Sequence, residues 1–369
     1  MSERVCRWGI LGTATIARKN WQAIRNAGNA VLTAVASRSV ERSRQYIDEC
    51  QASVSFPVVP RACGSYDELL TSQDIDAVYV PLPTGIRKEW VIRAAEAGKH
   101  VLVEKPVGCN STEVAEMIAA CRRNNVQFMD GVMFMHSQRL TRMREVLNDG
   151  QSVGRLRRIT SQFSFKAGDD FLRNNIRVSG ELEPLGCLGD LGWYNIRFTL
   201  WVLNYQMPSR VTARLLSETK RPDSLATVPT EFSAEMFFPD GVSASFYCSF
   251  VAENQQWASI SGTEGLLNVS DFVLPFYGSE AAFTVTKPKF RVNGCQFNME
   301  EHTRRFAVDE YSNNAGNSQE SNLFRNFSKL ALSGQPDHSW AEIALKTQQV
   351  MDACLTSARQ DGRPVELSA

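Results

Sequence analysis

The 369-residue sequence has no C-x-x-C pair, no histidine cluster, no net charge and no long apolar run, and each lack removes a class of protein. Its nine cysteines are odd in number and scattered, which argues against a disulfide framework and for reduced thiols in a cytoplasmic setting. Cys109 and Cys187, near the two main motifs below, read as small packing residues. None of the four histidines has metal-ligand spacing, so no metal is expected. Forty basic and forty acidic side chains cancel, which disfavours a nucleic-acid surface or a polybasic membrane patch. No stretch approaches the ~18 apolar residues of a membrane span, and the N-terminus lacks a signal-peptide core. There is no repeat, nucleophile elbow or Cys-His pair.

What is present is the mix of a soluble globular chain, 43% hydrophobic and 22% charged, at a length that implies two domains. From residue 4, short apolar runs alternate with amphipathic helices. Strands are predicted at 5–11, 31–36, 77–80 and 101–103, and helices at 15–27, through Trp90 and Ala95, and at 112–124. Such alternation implies an α/β fold, a doubly wound parallel sheet of the Rossmann type over residues 1–132. The first strand-helix turn, Gly12-Thr13-Ala14-Thr15-Ile16-Ala17, is a dinucleotide fingerprint with Ala in its second glycine slot. Gly12 permits the tight turn, Ala17 close helix packing, and the helix N-terminus offers amides to a pyrophosphate. Ala14 weakens the signal by adding a methyl where phosphate approaches. The second strand ends in Ser37-Arg38-Ser39 where an NAD site would place an acid. A guanidinium flanked by hydroxyls suits a 2′-phosphate, so NADP(H) is expected in preference to NAD(H).

After about residue 135 the rhythm changes. A helix at 136–148 and a strand at 156–165 precede an aperiodic loop, 165–187, of the kind that covers substrate. Residues 188–203 read as a helix carrying Asp190 and Tyr194 one turn apart on one face. Strand-like runs then dominate, followed by a loop at 309–321 and helices at 321–333 and 340–358. Residues 133–369 are thus expected to form an α+β domain with an open, largely antiparallel mixed sheet that binds substrate.

Four strings carry a resemblance: Gly12-x-Ala14-x-x-Ala17; Tyr79-Val80-Pro81-Leu82-Pro83-Thr84; the run Ala97 to Pro106, ending Glu104-Lys105-Pro106; and Gly189-Asp190-x-Gly192-x-Tyr194. With them, and the late Gly362-Arg363-Pro364-Val365, nearly the whole chain resembles the Gfo/Idh/MocA oxidoreductases. It is most similar to the branch of dimeric dihydrodiol dehydrogenases and NADP-dependent D-xylose dehydrogenases. The resemblance implies a cofactor site built from the fingerprint turn, Ser37 and Arg38, Pro81, Leu82 and Pro83, and Glu104, Lys105 and Pro106. It also implies Lys105 at the reacting hydroxyl, a sugar, polyol or diol substrate, and a homodimer through the free face of the second sheet. Most members carry His in place of Tyr194, and many carry His in place of Arg87, a residue that makes substrate contacts on that side uncertain.

The catalytic residues expected are Lys105, Tyr194 and Asp190. A nearby ammonium favours a phenolate, so Lys105 is expected to make Tyr194 a usable base, with Asp190 orienting substrate. Packed-aromatic and helix-cap roles are the alternatives for Tyr194 and Asp190. His136 and Arg139 are further candidates for the site's lining. A dicarbonyl or keto-sugar reductase and a non-catalytic nucleotide sensor are the other functional readings.

Overall fold

Six short apolar segments form a parallel sheet in the computed structural model, which describes residues 4–367. They are β1 (Cys6–Leu11), β2 (Ala30–Ala36), β3 (Arg61–Cys63), β4 (Ala77–Val80), β5 (His100–Val103) and β6 (Phe128–Asp130). Their order is β3-β2-β1-β4-β5-β6, so the chain reverses its direction of travel across the sheet between β1 and β4. That switch point opens a crevice at the carboxyl ends of the strands. All four residues of β4 are buried, as befits a strand covered on both faces. Helix Val40–Ser53 and β3 went unread in the sequence, because their apolar residues are too sparse for a clear period.

The second sheet is built from β7 (Leu156–Ser164), β8 (Arg210–Thr219), β9 (Val228–Phe237), β10 (Ser243–Ser249), β11 (Gln255–Gly262), β12 (Leu266–Val269) and β13 (Glu280–Thr286). A two-stranded hairpin, β14 (Lys289–Asn293) and β15 (Gln296–Glu300), precedes the edge strand β16 (Thr303–Asp309), and β17 (Val365–Glu366) closes the far edge. The nine-stranded order is β16-β13-β12-β11-β7-β10-β9-β8-β17, with β7 and β10 as its parallel pair. Alternation sets its two faces: Phe232, Ala234 and Met236 of β9 are buried, while Ser233 and Glu235 point to the free side. The buried face packs on helix Trp193–Val202, every residue of which is buried, and on the long helix Ser339–Arg359.

Three segments depart from the sequence expectation. Residues 188–203 do not form one regular helix, since Leu188–Gly192 is a π-helical turn leading into Trp193–Val202. Helix Gln319–Ser333, placed by its sequence position with the second domain, packs on the first. Trp8 lies 5.0 Å from the rings of Phe324 and Phe327, and its indole N–H donates to Ser328 Oγ at 3.0 Å. A late helix therefore completes the helical layer over β1, which no local pattern announces. The predicted loop 165–187 contains a short helix, Asp169–Asn174.

Candidate active site

Four turns meet at the crevice, at the ends of β1, β2, β4 and β5. Gly12 has φ +108°, open to glycine and strained for other residues, and a Cβ there would sit 3.1 Å from Leu82 Cδ2. The β1 and β4 turns thus touch through a glycine. Helix Thr15–Asn26 begins at Ala14 with no side-chain cap and no acidic residue in its first turn. Helices Val40–Ser53 and Ser111–Arg123, by contrast, are capped by Ser39 and Asn110. The uncovered amides and the cradle at Gly12 fit a dinucleotide pyrophosphate. Ala17 is fully buried while Ile16 is exposed beside it. Ser37 is buried, and Arg38 is exposed at the end of β2. Burial pushes the Tyr66 phenol up, while the nearby charges of Arg38 and Arg42 oppose that rise.

Arg87 is buried, and its position explains the departure noted in the sequence. Its guanidinium donates to Leu82 O at 2.9 Å and Glu104 O at 2.8 Å, and also to Pro106 O. It ties the β4 turn to the β5 turn from behind, so it is a clamp on the site and makes no wall for substrate. Glu104 is held in turn by Tyr79, whose hydroxyl donates to Oε1 at 2.5 Å and accepts from Asn20 Nδ2 at 2.6 Å.

Lys105 points across the domain boundary. Its Nζ donates to Asp190 Oδ1 at 2.6 Å and to the Asp190 carbonyl at 2.7 Å, and lies 4.8 Å from the centre of the Tyr194 ring. The Lys105–Pro106 peptide is cis. Arg177 takes the other carboxylate oxygen of Asp190, Nε to Oδ2 at 2.9 Å. Burial pushes the Asp190 carboxyl up, but Lys105 and Arg177 outweigh it and hold it down at about 2. Asp190 caps no helix; Cys187 occupies that position. Burial, reinforced by Glu104 and Asp190, pushes the Tyr194 phenol well above its ordinary value. Lys105 therefore contacts the face of the ring and does not make the phenol acidic. Among the described residues, the Tyr194 hydroxyl has one partner, the thioether of Met133 at 3.6 Å. A thioether is a weak acceptor, so this buried hydroxyl keeps its bonding capacity for a ligand.

The 165–187 segment docks on the first domain beside these groups. Glu183 accepts from Thr84 N at 3.1 Å and Thr84 Oγ1 at 2.6 Å, and Gly85 N donates to Leu182 O at 2.9 Å. A Cβ on Gly85 would meet Glu181 O, so glycine permits that approach. Arg177 and Glu183 were unread in the sequence because the segment has no period. A lone Arg or Glu in such a segment carries no signal.

The other two candidates lie elsewhere. Arg139 is buried in an ion pair with Asp271 at 2.5 Å. His136 stacks on Trp340 at 4.9 Å and accepts from Asn326 Nδ2 at 3.1 Å. Burial, aided by Arg197, lowers His136 from 6.5 to about 3. The unfolded chain protonates this ring at higher pH than the folded one. Its contribution to stability is therefore complete above about 6.5 and is lost toward about 3, at about 1.4 kcal/mol per pH unit. Thermal melts between about pH 4 and 7 should show a shallower slope for His136→Gln than for the wild type, and an unchanged slope would assign the loss to another group.

Residues 6–132 match the oxidoreductase family with an NAD-binding Rossmann fold, and residues 140–268 match the GFO/IDH/MocA C-terminal domain. The chain belongs to the GFO/IDH/MocA oxidoreductase family. It is 31% identical over 263 residues to a D-xylose 1-dehydrogenase (NADP(+)) of Haloferax volcanii, covering 71% of this chain and 75% of that one. It is 29% identical over 267 residues to the trans-1,2-dihydrobenzene-1,2-diol dehydrogenase of Bos taurus, covering 72% and 74%. The fold matches KijD10, a 3-ketoreductase from Actinomadura kijaniata solved with NADP and TDP-benzene, with a TM-score of 0.79 at 24% identity over 96% of this chain and 98% of that one. As a member of this family the protein is an NAD(P)-linked oxidoreductase.

Proposed function

We propose that the protein moves hydride between NADP(H) and a carbinol or carbonyl carbon of a small sugar, polyol or vicinal diol. The observation that carries this reading is the buried, weakly partnered hydroxyl of Tyr194, whose ring lies 4.8 Å from the Lys105 ammonium at the end of β5. The names of the xylose and dihydrodiol relatives support the substrate class. The nicotinamide, when bound, supplies or accepts hydride at its C4 carbon. Lys105, oriented by Asp190, stabilises negative charge developing on the substrate oxygen. Tyr194 transfers the proton at that same oxygen. Its raised pKa keeps the phenol protonated, the state that donates to a carbonyl in the reductive direction. Asp190 acts through Lys105 and Arg177, since both of its oxygens are engaged by them.

The NADP(H) preference is supported by Arg38 and Arg42 beside Tyr66. Arg38→Ala should weaken NADPH binding about 10- to 100-fold and leave NADH binding nearly unchanged, as expected for lost charge-assisted hydrogen bonds. Titration by nicotinamide fluorescence checks this; equal losses for both coenzymes would end the assignment. Nine free cysteines suit a reducing, cytoplasmic compartment. The free face of the nine-stranded sheet suits a homodimer. A panel of keto-sugars with NADPH, and of aldoses and diols with NADP+, tests the activity. Tight coenzyme binding with no turnover on any member would favour a sensor instead.

A further inference from the structure

The hairpin β14–β15 is apolar on one side and almost wholly outside the molecule. Nine of its ten strand residues are exposed, Glu300 alone being half-buried. Phe290, Val292, Phe297 and Met299 are 60%, 56%, 65% and 67% exposed. Phe290 opposes Met299 and Val292 opposes Phe297, so the four form one stripe. The other side is polar, with Arg291 paired to Glu300 at 2.6 Å. Two strands with no covering layer are marginal in water, and strict apolar-polar alternation is the pattern of a half-buried pair.

Register shows which way the stripe faces. Thr286 of β13 opposes Thr303 of β16, Lys287 N donates to His302 O at 2.9 Å, and Lys289 opposes Glu300, three residues further along each strand. The hairpin is a separate two-stranded sheet, yet its pairing keeps the register of β13 with β16 without a slip, so the alternation of sides is preserved. On β13, Ala281, Phe283 and Val285 are buried, which puts Ala282, Thr284 and Thr286 on the free face. The same parity puts Phe290 and Val292, and opposite them Phe297 and Met299, on that free side.

We propose that this hairpin is an arm that clasps a second copy of the chain, its apolar stripe lying against the partner when two free sheet faces meet about a twofold axis. Two observations favour a second copy. Nine strands of about seven residues present roughly 40 Å by 20 Å, on the order of 800 Å² per copy, the share a standard interface takes from each partner. The face also carries both charge signs in neutralised pairs, Arg158 with Glu235 and Arg305 with Glu280, as a self-complementary surface requires. A nucleic acid or an anionic membrane would call for one sign. The arm rests on the proposed dimer for its place and is independent of the proposed chemistry.

The test is sedimentation velocity of the full chain from about 0.1 to 50 μM, comparing the wild type with the double variant Phe290→Ser, Phe297→Ser. The expected result is a wild-type dimer whose Kd rises about 30-fold or more in the variant, with NADPH binding per chain unchanged. Equal Kd values would overturn the arm and leave the sheet dimer standing; a wild type monomeric throughout would overturn both. Amide exchange of residues 289–300 in the wild type gives a second reading that needs no variant. Protection that grows with protein concentration supports the arm, and rapid exchange at every concentration overturns it.

Discussion

Tyr194→Phe is expected to lower kcat by about 10²- to 10⁴-fold in a protein that stays folded. Among the described residues the hydroxyl it removes bonds to a thioether alone, so stability should change by less than about 1 kcal/mol. The ring remains packed against Phe134 and Phe163. The pH profile gives the independent signature. Because the phenol titrates well above its ordinary value, the reductive rate should be flat between about pH 6 and 9. The oxidative rate should climb about tenfold per pH unit over the same range, as the small phenolate fraction grows. The Phe variant should lose that climb. A folded Phe variant with wild-type turnover would remove Tyr194 from the chemistry.

Lys105→Met is expected to lower kcat by about 10²- to 10³-fold, the usual effect of deleting one donor aimed at a developing oxyanion. It acts on the fold as well. Asp190 would remain buried with Arg177 as its remaining cation, which should destabilise the protein by a few kcal/mol. Rates are therefore compared well below both melting transitions. Asp190→Asn separates the two effects, because it keeps the Lys105 ammonium but loosens its aim, and its rate should lie between those of the wild type and Lys105→Met. A Lys105→Met enzyme with undiminished kcat would show that the ammonium serves the domain boundary alone.

The first domain was legible because its signals are local. A glycine turn after an apolar strand, an alternation of strand and helix, and the Glu104-Lys105-Pro106 string each lie within a few residues. Asp190 and Tyr194 were picked out by their spacing together with the Lys105 string and the family resemblance, although Asp190 lies in a π-helical turn and Tyr194 in the α-helix that follows. Their joint approach to Lys105 bridges a sequence separation of 85 residues, from Lys105 to Asp190. The direction of the phenol's shift reversed the expectation, because an ammonium lying on a ring face does little for the hydroxyl while burial acts on it directly. Arg87 left substrate contacts on its side open in the sequence, and the carbonyls its guanidinium meets make it a clamp behind the site.

Alone, then, the sequence determined the Rossmann rhythm, the fingerprint turn, the three catalytic candidates and the antiparallel character of the second half. The fold features follow from backbone propensity and periodicity over short spans, and the catalytic candidates from the Lys105 string and the family resemblance. Tertiary structure alone decided that helix Gln319–Ser333 covers the first domain and that Arg177 and Lys105 share one carboxylate. It also decided that the arm's apolar stripe faces the free side of the large sheet. Those outcomes depend on which surfaces remain to be buried, and on charges brought together, once distant segments have packed.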